Sequence, residues 1–173
     1  MIRRVQVLKW VLDIDYEATT ATYEKLPRVW PSCMCLYCQN FNAACNMLPK
    51  EFVRLCFSLG IDPTKAAEVY EMGRGQEEQT RFYGGWYHVV GRIVLRPGKK
   101  RTLYNRVWRQ IIRRVTGNHC PEPSVESGYR TASGFRVSFT EVAHMVPDDF
   151  PRPVLQLDFS GDIPWILEER PEL

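Results

Sequence analysis

With 173 residues, 45% of them hydrophobic and 25% charged, the chain has the composition of an ordinary globular protein and the length of a single domain, 1–173, that can bury a core without disulfide staples. Its formal net charge of +3 is too small to define a partner by itself. No apolar run approaches the roughly 20 residues of a membrane-spanning helix, and Lys9 interrupts the basic, apolar start with no small-residue cleavage site after it. A soluble, cytoplasmic protein with reduced thiols and no membrane partner is therefore expected.

In chain order, Val5 to Leu12 is rich in β-branched and aromatic residues with apolar side chains at both parities, which predicts a strand covered on both faces and ended by Asp13 and Asp15. Tyr16 to Leu26 reads as a short helix presenting Tyr16, Thr19, Thr20, Tyr23 and Leu26. Pro27 and Pro31 bracket a turn. A helix is then expected from Ser32, a hydroxyl N-cap, to Leu48. It would turn Met34, Cys38, Phe41, Cys45 and Leu48 to the core and Gln39, Asn42 and Asn46 to water, with Cys33 and Cys35 at its start. Pro49 suits the first turn of a further helix carrying Phe52, Cys56 and Leu59 and stopped by Gly60. Asp62-Pro63 has the form of an N-cap followed by N1 and predicts another short helical segment to about Val69. Together these make a helical layer near residues 32–69.

The later half reads as strand. Over 81–95, Tyr87, Val89, Ile93 and Leu95 share one parity and Trp86, His88 and Arg92 the other, while Gly84-Gly85 points to a bulge or a close backbone approach. Phe135, Val137 and Phe139 alternate with Arg136, Ser138 and Thr140. Leu155, Leu157 and Phe159 alternate with Gln156 and Asp158, and Ile163, Trp165 and Leu167 resume that parity beyond Gly161. Between the strands, Leu103, Val107, Ile111 and Val115 recur every fourth residue in Thr102 to Val115, predicting an inserted amphipathic basic helix that ends at Gly117. The predicted class is α+β: an antiparallel sheet of about four or five strands, an N-terminal helical layer and the one inserted basic helix.

Three constellations carry candidate chemistry. Cys33-x-Cys35-x-x-Cys38 offers three thiolates within a turn and a half, enough for three of the four tetrahedral positions of zinc. Cys45, seven residues beyond Cys38, would lie roughly 10 Å along a continuous helix, so His119-Cys120 would be the better source of a fourth donor. The competing reading makes Cys38, Cys45 and Cys56 small core residues and Cys33 and Cys35 plain thiols. A thiol enzyme would need a base, such as His88, brought to Cys35 by folding.

The second constellation, Tyr83, Trp86, Tyr87 and His88 beside two glycines, is either a ligand-binding floor of flat rings or an aromatic sheet packed under the helices. The third is the acid-free stretch from Arg92 to Cys120, in which Arg101, Arg106, Arg109 and Arg113 can project together as an anion-binding face. No Walker, Gly-x-Ser-x-Gly or His-Glu-x-x-His pattern occurs, and no catalytic residue is assigned.

The string Cys33-x-Cys35-x-Tyr37-Cys38-x-Asn40-Phe41, the run from Tyr83 to Gly91, the stretch Phe150-Pro-x-Pro-Val-Leu-Gln-Leu-x-Phe159 and the tail Ile163-Pro-Trp-Ile-Leu-Glu-Glu169 resemble an uncharacterised family of small bacterial cytoplasmic proteins. The resemblance covers most of the chain but not 97–118, which reads as an insertion, and it implies a bacterial setting without bringing an activity. The reading preferred from sequence is a non-catalytic binding protein that presents the basic helix to an anionic partner: a nucleic acid, a nucleotide-like ligand or an acidic protein surface. The alternatives are a metal-binding module built on Cys33, Cys35 and Cys38, with zinc as the candidate ion, and a thiol enzyme.

Overall fold

The computed structural model describes residues 1–96, 129–131 and 134–169. Its elements run β1 (Ile2–Val7), β2 (Trp10–Asp15), α1 (Tyr16–Lys25), α2 (Val29–Ser32), α3 (Leu36–Ala44), a 3-10 turn (Cys45–Met47), α4 (Lys50–Ser58), β3 (Glu68–Arg74), β4 (Thr80–Leu95), β5 (Tyr129–Arg130), β6 (Arg136–Thr140) and β7 (Val154–Pro164). The strands form one antiparallel sheet in the order β1-β2-β4-β7-β6-β5, with β3 also paired to β4. The class is α+β as the patterns predict. The expected basic helix, with Arg101, Arg106, Arg109 and Arg113, lies outside the described residues.

Among the described residues the sheet has seven strands, more than the expected four or five, and local physics accounts for the excess. Val5 to Leu12 is not one strand but a hairpin, because Leu8 takes a positive φ of 55° and the chain reverses at Leu8-Lys9. That turn carries none of the Asn-Gly or Asp-Gly chemistry by which tight hairpins are recognised. The helical segment expected after Asp62 is replaced by a turn: the Asp62 carboxylate accepts from the Thr64 amide and hydroxyl, an Asx geometry that competes with helix. The Ala67 amide then donates to the Trp86 carbonyl, and β3 starts at Glu68. The helical layer accordingly falls between residues 16 and 58.

Strand β4 is the spine. Its whole length from Thr80 to Val90 pairs with β7 on one edge, while the other edge is shared by β3, over Arg81 to Trp86, and β2, over Gly91 to Leu95. Residues 87–90 on that shared edge have no strand beside them. Helix α1 closes the gap with side chains. The Tyr23 hydroxyl donates to the His88 carbonyl and accepts from the His88 amide, and the Thr19 hydroxyl accepts from the Val90 amide. Asp15 starts α1 at the required place, because its carboxylate caps the Ala18 amide where β2 ends. Burial pushes the Tyr23 phenol well above its ordinary pKa, so it stays protonated and can both donate and accept.

Helices α3 and α4 pack on the odd-numbered face of β4: Phe41 lies against Tyr83 and Phe159, and Phe52 against Tyr87, Phe135 and Phe159. The opposite face holds a smaller cluster of Val90, Phe150 and Val154. Two of the three glycines of β4, Gly84 and Gly85, admit rings. A Cβ at Gly84 would meet the Tyr70 ring at 3.0 Å, and one at Gly85 would meet the Phe159 ring at 2.8 Å and the Glu68 carbonyl at 2.3 Å. The close approach inferred from Gly84-Gly85 is therefore made by the protein's own aromatic side chains.

Two outcomes are expected. Tyr23→Phe removes the hydroxyl but not the ring, stranding the His88 amide and carbonyl, and should lower unfolding free energy by about 1–3 kcal/mol in urea titrations, with an unchanged denaturant slope. His88 is buried and its Nε2 lies 2.8 Å from the His144 carbonyl; burial, opposed by that hydrogen bond and reinforced by the charges of Arg152 and the His144 ring, holds its pKa below the ordinary value. The unfolded chain then binds the proton more readily. The His88 contribution to stability should be flat above roughly pH 6.5 and fall as pH drops below it, and His88→Gln should reduce that acid slope.

Candidate metal centre

Ser32 does not begin a single long helix. Instead α2 ends at Ser32, with the Cys33 amide donating to the Val29 carbonyl, and α3 begins three residues later with Cys35 as its N-cap. The break is held at both ends. The Cys38 amide donates to the Cys35 sulfur at 3.4 Å, a cap made by sulfur in place of a hydroxyl, and the Gln39 side-chain amide donates to the Met34 carbonyl at 2.7 Å. Met34, expected in the core stripe, lies in this break and is 73% exposed, while Cys38, Phe41, Cys45 and Leu48 are buried as the spacing predicts.

The break changes what the cysteines can do. On a continuous helix Cys33 and Cys35 would diverge around the axis by about 100° per residue, whereas here the sulfurs of Cys33, Cys35 and Cys38 all lie within 4.8 Å of one another. Cys33 and Cys35 are 3.4 Å apart, sulfur to sulfur. Zinc at about 2.3 Å from each thiolate of a tetrahedral set needs sulfurs roughly 3.8 Å apart. The Cys33–Cys35 separation is within a few tenths of an ångström of that spacing.

Cys33 and Cys35 are exposed and Cys38 is buried beneath them. The Cys35 backbone amide, followed by the neighbouring thiols of Cys38 and Cys35, holds the Cys33 thiol below its ordinary pKa, while burial pushes Cys38 up. Cys45 and Cys56 belong to the core. Burial pushes the Cys45 thiol up to about 12 and that of Cys56 further, so both stay neutral thiols.

The cluster is tied to the sheet through Asn40, which is fully buried two residues beyond Cys38. Its amide nitrogen donates to the Pro164 carbonyl at 3.0 Å and to the Tyr83 hydroxyl at 3.3 Å, and its oxygen accepts from the Ile166 amide at 2.8 Å. The Tyr83 hydroxyl in turn donates to the Tyr37 carbonyl, and the Tyr37 ring meets Trp165 edge-on. These contacts fix the first turn of α3 against the end of β7. Sequence reading assigned Asn40 no role, although it adjoins Phe41 and stands three residues after Tyr37 and four before Ala44, and so borders the buried stripe.

His119 and Cys120, the expected source of a fourth donor, lie outside the described residues, and among the described candidates none adds a ligand to the three thiols. His88 bonds to His144 on the sheet face away from α3, so no Cys35/His88 dyad forms. Tyr83, Trp86, Tyr87 and His88 are buried; Tyr87 donates to the Pro63 carbonyl, and Trp86 lies beside Tyr70. They divide between the two faces of β4. Asp13 is paired with Arg4 and Arg92, and the Arg4 guanidinium holds its carboxyl below the usual range. A shallow cleft of about 290 Å³ beside α1 is lined by Tyr16, Tyr23, Phe57 and Lys65 among others, but the Lys65 ammonium is bonded to the Tyr23 and Glu24 carbonyls.

No protein-family model, curated protein or solved structure matches the chain. Among the described residues, no helix is long and apolar enough to cross a membrane.

If Asn40 holds the cluster in place, Asn40→Ala should strand the Pro164 carbonyl and the Ile166 amide and cost about 1–3 kcal/mol for each group left buried. Thermal and urea unfolding would measure this, and an unchanged midpoint would contradict the role.

Proposed function

We propose that this protein binds a thiophilic metal ion, zinc in the first instance, through Cys33, Cys35 and Cys38. One observation carries the reading: three sulfurs from a helix break and the following helical turn lie within 4.8 Å of one another, while Cys45 and Cys56 are buried away from them. Soft thiolates select zinc, copper(I) or iron–sulfur centres over hard, oxygen-seeking cations. Among the described residues the three cysteines form a thiolate set without a neighbouring catalytic base, which favours metal ligation over thiol catalysis. The reading of the basic segment as a face for an anionic partner rests on charge pattern alone.

Elemental analysis of the full chain, purified under reducing conditions without added metal, tests the proposal. About one equivalent of zinc, or one-to-one uptake of cobalt(II) with a sulfur-to-metal charge-transfer band, is expected. Cys33→Ser, Cys35→Ser and Cys38→Ser should each weaken binding by at least about tenfold, and Cys56→Ser should leave it unchanged. Less than about a tenth of an equivalent of zinc or iron, together with no cobalt uptake, would sink the reading.

A further inference from the structure

We infer that the metal held by Cys33, Cys35 and Cys38 keeps one coordination position open to solvent, and that this position takes a low-molecular-weight thiol from outside the protein. The inference rests on the metal-binding reading above. Among the described residues no fourth His, Cys, Asp or Glu joins the cluster. Two of its three cysteines are exposed and the third is buried, so an ion seated on the three would sit at the protein surface, with solvent on the side of Cys33 and Cys35. Structural zinc sites are closed by four protein ligands, and sites that exchange ligands keep one position free.

Charge selects the class of ligand. Three thiolates on a divalent ion leave a net charge of −1, which the partial positive charge at the start of α3, with the Cys38 amide on the Cys35 sulfur, only partly offsets. An ion so compensated acidifies a bound water far less than one carried by neutral imidazoles. A thiol is the better match: it is soft, and its pKa of about 8.5 lies well below that of water at about 15.7. The exchange is balanced, since the incoming thiol releases its proton to solvent, its sulfur bonds to the metal, and a water leaves. Glu68, whose charge bears on Cys33, adds to the negative field, so a neutral thiol should bind more tightly than a carboxylate-bearing one.

The test uses the full chain loaded with cobalt(II). On titration with 2-mercaptoethanol, the sulfur-to-cobalt band should rise saturably by about a third, as three thiolates become four, while cobalt stays at one equivalent. Thioglycolate should need several-fold higher concentrations, and ethylene glycol should do nothing. A spectrum that 2-mercaptoethanol leaves unchanged, with cobalt still bound, means that the protein supplies the fourth ligand and overturns the inference while the metal reading stands. A thiol response that appears only in His119→Ala/Cys120→Ser has the same meaning, and loss of cobalt without a saturable intermediate, which shows the thiol stripping the metal and not joining it, also overturns the inference. A chain that takes up no cobalt defeats both.

Discussion

Everything in this fold depends on how β4 satisfies its backbone. A strand buried on both faces has no water to bond, so each of its amides and carbonyls needs a protein partner. On the edge shared by β2 and β3 the two neighbours leave 87–90 uncovered, and the hydroxyls of Tyr23 and Thr19 stand in for a strand. This substitution makes α1 part of the sheet. It also explains why a helix with so little amphipathic character is placed where it is: its two buried residues are those that carry the two hydroxyls.

The same spine positions the cysteines. Phe41 anchors α3 on the rings of Tyr83 and Phe159, and Asn40 converts that apolar docking into a fixed orientation by bonding to both ends of the Pro164–Ile166 segment. With α3 fixed, Cys38 is fixed. The chain before it cannot continue as helix because Cys35 caps α3 in an extended conformation, so Cys33 folds back beside it. The cluster is thus a consequence of a helix that stops and restarts.

Burial divides the cysteines by chemistry. Cys45 and Cys56 sit among Phe52, Leu48 and Leu59, where a thiolate would be heavily penalised, and they act as small apolar residues. Cys33 and Cys35 are exposed, and with the buried Cys38 they bring three sulfurs close enough together to hold a metal ion. A stripe that looked uniform along a helix therefore separates into a packing part and a clustered-thiol part at Cys38, which is buried and belongs to both.

Periodicity and end signals were enough to read the α+β class, the span of β4, the alternation in β6 and β7, the helix after Pro49 and the burial of Cys38, Cys45 and Cys56, because each follows from a repeat of two or 3.6 residues or from a local cap. The three neighbouring thiols were legible as a metal candidate from their spacing. The hairpin at Leu8-Lys9 was not, since a non-glycine residue at positive φ carries no mark in the sequence, nor was β3, whose strand is set by pairing with Trp86 and its neighbours. The helix break at Cys33 is local but rests on a sulfur cap that no end signal marks, whereas the role of Asn40 and the use of Tyr23 and Thr19 as strand substitutes are contacts between residues as many as 126 positions apart. Such contacts exist only once the sheet has assembled, because a buried backbone group takes whichever partner the packing brings to it.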